Sequence, residues 1–399
     1  MTPSKNAATL PGALETVAAA DARGPSRRIL LVVDSVYPAM GGAERQVELL
    51  AKAFRERGHQ VHIVCPLLRP DDLPFEIVDG TPVERLRYPH IKKFGSLLLC
   101  ASFAVWLLRH RRSFDAMHIH TVHILAAVAG MVRPLLAMPI AIKVTGAWEF
   151  EGGLLDPTIQ RKPFIRALNW GVKRVDYVQC ISEFTRDMVR QAGYPDRMLK
   201  MIPNAVDTDR FRRASDPVSD VPCVVYVGRL RTVKGVYVLL DAWAEVVREV
   251  PARLLIAGDG PEGDAMLARV AELGIADSIE FLGAVDDVPA VHARGCIYAQ
   301  PSFQEGMPNS VLEAMASGLP VVATQISGNV DLVFDDDNGL LVPSGDAPAF
   351  ARSLVALLKD PERARRMGLR SRARVTERYG LDAVIGELIA IYDEGRVAA

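Results

Sequence analysis

Two glutamates, Glu305 and Glu313, stand eight positions apart, with the turn Gly306-Met307-Pro308 just after the first. The second falls in a helical run that begins near Asn309-Ser310, and Leu319–Thr324 then reads as a buried strand. A loop carboxylate and a helix carboxylate can face one ligand at two points, and the helix N-terminus between them can face a phosphate or a sugar. A second constellation is Gly228-Arg229-Leu230-Arg231-Thr232-Val233-Lys234-Gly235, directly after the apolar run Cys223–Val227. Gly228 at a strand end lets backbone approach a ligand closely. Arg229 and Lys234 set two cations at a strand-to-helix turn, where charge-assisted bonds suit a diphosphate. The plain alternative is a pair of solvated surface cations. Gly41-Gly42 precedes a further helical run, a place for backbone N–H groups to meet phosphate or simply a tight turn. Gly258-Asp259-Gly260-Pro261 ends another strand, and it either borders a nucleotide base or is only a turn.

His118 and His120 lie two apart on one strand, hence on one face, and His123 follows. His120 is the one expected to reach a cleft. His118 and His123 read as packing or surface residues. A zinc site from the three lacks a Cys or acidic partner at ligand spacing. Asp335-Asp336-Asp337 ahead of Asn338-Gly339 reads as a solvated turn, and no Asp-x-Asp sits at a strand end, so no metal and no cofactor is expected.

Strand-like and helix-like runs alternate almost throughout, the pattern of βαβ units with parallel sheets. The alternation starts at Arg28–Val33 and restarts at Cys223–Val227. With 399 residues, two α/β domains are expected. They are a tail at 1–26, a first domain at 27–206 and a second at 207–380. The last helix, 381–399, is expected to cross back to the first domain. The aperiodic stretch Asp207–Pro222 reads as the linker. Such sheets bind ligands at the carboxyl ends of their strands, so a cleft between the two is the natural site.

Composition excludes several classes. The chain is 49% hydrophobic and 24% charged with a net charge of −1, which gives no reason to expect nucleic acid. Five scattered cysteines without a Cys-x-x-Cys pair fit reduced thiols in a cytosolic setting. The apolar run Leu97–Leu108 is twelve residues long, short of the roughly 20 a membrane-spanning helix needs. It is either a buried crossover helix or, with Lys92, Lys93, Arg109, Arg111 and Arg112 on its flanks, a helix that docks on the anionic inner face of a membrane.

Taken together, Gly41-Gly42-Ala43-Glu44-Arg45, Ile202-Pro203-Asn204, Gly228-Arg229-Leu230 with Lys234-Gly235, Gly258-Asp259-Gly260-Pro261 and the Glu305/Glu313 segment resemble the retaining sugar-nucleotide glycosyltransferases of family 4. The resemblance runs from about Arg28 to Tyr392. It implies the GT-B fold, two Rossmann-like doubly wound domains facing across a cleft. It also implies a donor such as a UDP- or GDP-sugar and a carbohydrate or lipid-linked saccharide acceptor, in cell-surface polysaccharide or glycoconjugate synthesis. By the same resemblance, Arg229 and Lys234 bind the donor diphosphate. Glu313 grips the ribose diol and Glu305 contacts the transferred sugar. The backbone at Gly306, Met307, Pro308 and Asn309 holds the sugar and distal phosphate. Gly41 and Gly42 close over the phosphates from the other domain. Many members place a His where this chain has Thr145 at the end of Ala141–Gly146, which leaves a histidine contact to the donor sugar unassigned there.

Two rivals remain at this level. A GT-B-type sugar-nucleotide 2-epimerase needs acid/base carboxylates around the sugar, and Glu305 is the only such group assigned. A non-catalytic sugar-nucleotide-binding subunit would be free to lose the four charged residues that this chain keeps. A dinucleotide dehydrogenase is disfavoured because no Gly-x-Gly-x-x-Gly follows the first strand.

Overall fold

The computed structural model describes residues 25–397 apart from Met40, His90, Lys93, Pro157 and 213–220. Most of the expected N-terminal tail, the Lys93 flank, the middle of the expected linker and the last two residues of the C-terminal helix therefore lie outside the described residues.

The chain builds two α/β halves. The first sheet holds β1 (Arg28–Val33), β2 (Gln60–Pro66), β3 (Phe75–Val78), β4 (Thr81–Leu86), β5 (Ala116–His120), β6 (Ile140–Val144), β7 (Tyr177–Cys180) and β8 (Leu199–Met201). Their order across the sheet is β3-β4-β2-β1-β5-β6-β7-β8. The second sheet holds β9 (Cys223–Val227), β10 (Arg253–Ala257), β11 (Ile279–Gly283), β12 (Ile297–Gln300), β13 (Val321–Thr324) and β14 (Gly339–Val342), in the order β11-β10-β9-β12-β13-β14. The central strands are near-continuous apolar runs because helices cover both faces of a parallel sheet. Only β3 runs antiparallel, as a hairpin with β4. Its turn, Asp79-Gly80, has positive φ at both residues (46° and 75°), which the twist of a two-residue hairpin demands. That Asp-Gly signal was in the sequence, but the strand it announces was not among the expected elements.

The first half carries α1 (Gly42–Glu56), α2 (Gly95–Arg109), α3 (Ile124–Val132), α4 (Pro163–Val172) and α5 (Glu183–Gln191). The second carries α6 (Val236–Glu249), α7 (Gly263–Leu273), α8 (Val288–Arg294), α9 (Asn309–Ala316), α10 (Ser327–Val330), α11 (Ala347–Lys359) and α12 (Pro361–Arg378). The final helix, α13 (Leu381–Val397), leaves the second half and packs beside α1, with Val384, Ile385, Leu388, Ile391 and Tyr392 in one core with Ile29, Leu31 and Val47. Arg27 grips Asp393 with two hydrogen bonds of 2.7 Å. The outgoing and returning crossings lie side by side, with Val206 N–H donating to the Tyr379 carbonyl at 2.9 Å.

Two local expectations change. Phe211, within the stretch read as linker, is buried in the core under β9 and β12. The three aspartates 335–337 are not merely a solvated turn. Asp335 accepts the Leu341 N–H, Asp336 pairs with Arg363, and Asp337 pairs with Arg370 and Arg374 of α12.

In each sheet the chain order reverses direction beside the first strand, between β1 and β5 and between β9 and β12. Crevices at such points are where doubly wound sheets bind ligands. The segments after β1, β6, β9 and β12 are those that carry Gly41-Gly42, Thr145, Gly228 and Glu305.

Candidate active site

After β9 the chain turns through Gly228 and Arg229 to Lys234. Tyr226 donates its hydroxyl to the Arg229 carbonyl at 3.1 Å, and the Arg229 residue is exposed. Gly235 has φ of 69°, and a Cβ there would lie 1.9 Å from the Pro301 carbonyl, so only glycine lets this turn seat on the one after β12. That seating brings Lys234 to Glu305, with Nζ 2.7 and 2.8 Å from the two carboxylate oxygens. Gln300 Nε2 at 2.9 Å and Ser302 Oγ at 2.8 Å also donate to Glu305 Oε1. Glu305 is thus oriented by three donors, while a Lys ammonium with three N–H groups keeps one for a further acceptor.

The α9 helix begins at Asn309 with Pro308 as its N-cap and no side-chain cap. Among the described residues, the N–H groups of Gly306, Met307 and Asn309 donate to no partner, so this end can receive an anion. One turn on, Glu313 is half-buried. Burial pushes its carboxyl up to about 7, against the opposing pull of Arg45 on α1 and Arg210 from the crossing.

The first half meets this turn by backbone contact. A Cβ on Gly306 would lie 2.0 Å from the Thr145 carbonyl, so the loop after β6 rests on the turn after β12. Glu149 holds that loop in place. Its Oε2 accepts the N–H groups of Thr145 and Gly146 at 2.6 and 3.0 Å, and its Oε1 accepts that of Val122 at 3.0 Å. Trp148 donates its indole N–H to Thr145 Oγ1 at 3.2 Å and leaves nearly half its surface exposed. Burial raises the Glu149 carboxyl and lowers the Lys143 ammonium, while the Glu149 charge partly restores Lys143. After β1, Asp34 accepts the Leu125 N–H at 2.9 Å and pairs with His123 at 3.0 Å, which raises the His123 pKa.

The sequence-derived set divides clearly. Lys234 and Glu305 are in direct contact, and the backbone of Gly306–Asn309 and Glu313 follows them along the same turn and helix. From the other half, Gly42 joins this group through its carbonyl, which accepts from Asn309 Nδ2 at 3.0 Å, and Gly41 caps α1. Gly258 lies one layer behind, where a Cβ would meet the Gly228 carbonyl at 1.8 Å. His120 does not join the group. It is wholly buried against the His118 ring, whose Nδ1 hydrogen-bonds Tyr392 at 2.7 Å, and neither ring nitrogen of His120 has a partner among the described residues. On the same side of β5, His118 packs on Tyr392 of α13 and Ala116 joins the core that α1 and α13 cover. Desolvation keeps His120 neutral. Sequence reasoning gave no role to Gln46, Asn204, Lys143, Glu149 or Asp34. For Asp34, its place directly after β1 was a usable signal; Glu149 had none, because its partners are backbone groups of its own loop and of the loop after β5. Among the described residues, no group of three His, Cys, Asp or Glu side chains converges as a metal-holding cluster.

The pattern of this chain matches Glycosyltransferase Family 4 over residues 40–210 and Glycosyl transferases group 1 over residues 221–360. It is similar to the N-acetyl-alpha-D-glucosaminyl L-malate synthase of Bacillus anthracis, with 26% identity over 373 residues, 89% of this chain and 94% of that protein. It is also similar to a GDP-mannose-dependent alpha-(1-6)-phosphatidylinositol monomannoside mannosyltransferase of Mycobacterium tuberculosis, with 28% identity over 90% of this chain and 97% of that protein. Among solved structures, HepE of Anabaena in complex with UDP superposes with a TM-score of 0.74 at 20% identity, covering 92% of this chain and all (100%) of that one. The sucrose-phosphate synthase of Thermosynechococcus elongatus superposes with a TM-score of 0.76 at 22% identity, over 94% of this chain and 100% of that one. These two likenesses establish the GT-B fold.

Proposed function

The chain belongs to glycosyltransferase family 4, and from that premise we propose that it moves a hexose, with retention of configuration, from a UDP- or GDP-sugar to a saccharide or lipid-linked saccharide acceptor. That it is a nucleotide-sugar-dependent glycosyltransferase follows from the family and from relatives that span the whole fold. The donor base, the sugar, the stereochemistry and the residue roles are our reading. The observation that carries it is the Lys234–Glu305 pair beside the open N-terminus of α9, with the Thr145–Gly146 loop laid against Gly306.

In this reading Arg229, Lys234 and the N–H groups at the start of α9 hold the donor diphosphate. As the bond from the sugar's anomeric carbon to the phosphate oxygen breaks, the electron pair leaves on that oxygen. Preorganised donors aimed at it lower the barrier. The acceptor hydroxyl bonds to the anomeric carbon, and its proton departs with the diphosphate. Glu305 orients Lys234 and faces the sugar hydroxyls, and Glu313 takes the ribose diol. Trp148 offers an aromatic face to an acceptor ring. One relative is named for a UDP complex and another for GDP-mannose, so both bases belong in the donor screen. A thermal-shift screen of UDP-, GDP- and ADP-sugars, followed by transfer assays with the best donor, tests the reading. A panel that yields no stabilisation and no transfer would refute it. The relatives spanning the fold are named as transferases or synthases, and no observation favours the 2-epimerase or the non-catalytic subunit.

We also propose a peripheral membrane contact, in line with lipid-linked glycoconjugate or polysaccharide synthesis. No helix among the described residues is long and apolar enough to cross a membrane. The α2 helix buries Leu99, Phe103, Trp106 and Leu107 as a crossover helix does, yet it exposes Leu97 and Val105. Phe94 and the β3 side chains Phe75 and Ile77 are exposed as well, and Phe75, Val105 and Arg109 line one groove of about 1030 Å³. Lys92, Arg109, Arg111 and Arg112 around it are exposed. Apolar anchors ringed by cations suit an anionic lipid surface. Co-sedimentation with phosphatidylglycerol vesicles but not with phosphatidylcholine vesicles is expected. Equal recovery with both lipids, or with neither, would rule the contact out.

A further inference from the structure

Three carboxamides from three separate segments meet at the floor of the cleft. Gln46, on α1, is buried. It pairs with the backbone of Ala205 in both directions, accepting the Ala205 N–H at 3.0 Å and donating to the Ala205 carbonyl at 2.7 Å. The same Nε2 donates to Asn309 Oδ1 at 3.2 Å. Asn204, also buried, donates from Nδ2 to Asn309 Oδ1 at 2.9 Å and to the Met307 carbonyl at 3.1 Å. Asn309 closes the ring by donating its own Nδ2 to the Gly42 carbonyl at 3.0 Å.

The bonds to Asn309 and Met307 join the two halves. Gln46 and Gly42 belong to the first half, Ala205 lies in one core with Val47 and Leu50 where the chain leaves that half, and Asn309 and Met307 belong to the second. A carboxamide suits every position because it offers an acceptor and two donors on one rigid plane. No charged or apolar side chain of similar size satisfies both directions at Ala205. The Gly42 turn and the Met307–Asn309 turn are the two that our reading places on opposite sides of the donor diphosphate. The residue identity of Asn309 is thereby explained by its side chain, which spans the cleft, and its backbone N–H stays available for the ligand.

We propose that Gln46 is a positioning residue for donor binding. Through Asn204 and Asn309 it locks the crossing segment to both phosphate-facing turns, so that the two halves meet at the spacing a nucleoside diphosphate requires. This inference rests on the nucleotide-sugar reading above. It differs from a purely structural role, since it concerns the distance between two halves rather than the stability of either.

The test uses the whole chain with Gln46→Met, which keeps shape and removes the hydrogen bonds, together with Asn309→Ala and the double variant. UDP and GDP binding is measured by calorimetry, and kcat and KM for donor and for acceptor are measured with the donor the screen identifies. The expected result is a roughly tenfold weaker affinity for the nucleoside diphosphate, with donor KM raised and acceptor KM unchanged. The double variant should be no worse than the poorer single variant, because both break one ring. Gln46→Met with parental affinity and donor KM would overturn the clamp, as would strictly additive losses. A drop in melting temperature with donor KM unchanged would likewise leave Gln46 a structural residue only. A parent chain that binds neither UDP nor GDP would instead remove the nucleotide-sugar reading itself.

Discussion

Glu305 and Glu313 are both carboxylates, yet their surroundings give them different behaviour. Glu305 is fixed by Lys234, Gln300 and Ser302. Glu313 has its carboxyl raised from 4.5 to about 7 by burial. The folded chain therefore binds the Glu313 proton more tightly than the unfolded one. Stability from this group is full below 4.5 and declines as pH rises toward 7. The ribose binding proposed for Glu313 would run the other way, because only the ionised carboxylate accepts from both hydroxyls. Donor KM should fall as pH rises through the Glu313 titration, and Glu313→Gln should flatten that dependence; a parent profile identical to the variant's would contradict the assignment. At Lys234, replacement by Ala strands Glu305 and, in the proposed role, removes a donor from the leaving group. Turnover should drop by about 100-fold or more, and activity within twofold of the parent would exclude the role.

At the scale of elements, the site depends on two turns that only close contact can hold together. The loop after β6 and the turn after β12 touch backbone to backbone at Thr145 and Gly306. Gly306→Ala places a methyl 2.0 Å from the Thr145 carbonyl, so the loop has to retreat. A displacement of about 1 Å near reacting groups is worth on the order of 100-fold in rate. We expect that loss in kcat with a thermal unfolding profile close to the parent's. An active variant would mean that the loop is free to shift without consequence. Glu149 is the counterpart within the first half, a buried carboxylate satisfied by three backbone N–H groups, which joins the loops after β5 and β6 into one surface. The helical runs after Gly41-Gly42 and from near Asn309-Ser310 and the strands at 28–33 and 223–227 were legible because their apolar periodicity and end signals agree. The hairpin strand β3 is short and half-exposed, so its pattern is weak, and the Asp-Gly turn was the one available clue.

For the whole molecule, α13 makes the end of the chain part of the first half's core. Leu388 is fully buried there beside Leu31 and Val47. Leu388→Ala should cost about 2–5 kcal/mol, read as an early transition in urea unfolding that belongs to the first half. An unchanged profile would mean the helix is not integral. Residue types and spacing alone determined the fold class and the family and singled out the cations and carboxylates that we propose face the nucleotide, because strand-end glycines, fixed charges and helix starts are local signals. Tertiary structure alone decided which of these residues meet. His120 and Lys234 look equally reactive in the sequence. His120 is wholly buried against His118, which packs on Tyr392 of α13, and the turn that carries Lys234 is drawn onto Glu305 by a glycine contact. The carboxamide ring of Gln46, Asn204 and Asn309 has no sequence signature, since its members lie up to 263 positions apart and are joined only when the two halves close on the crossing segment.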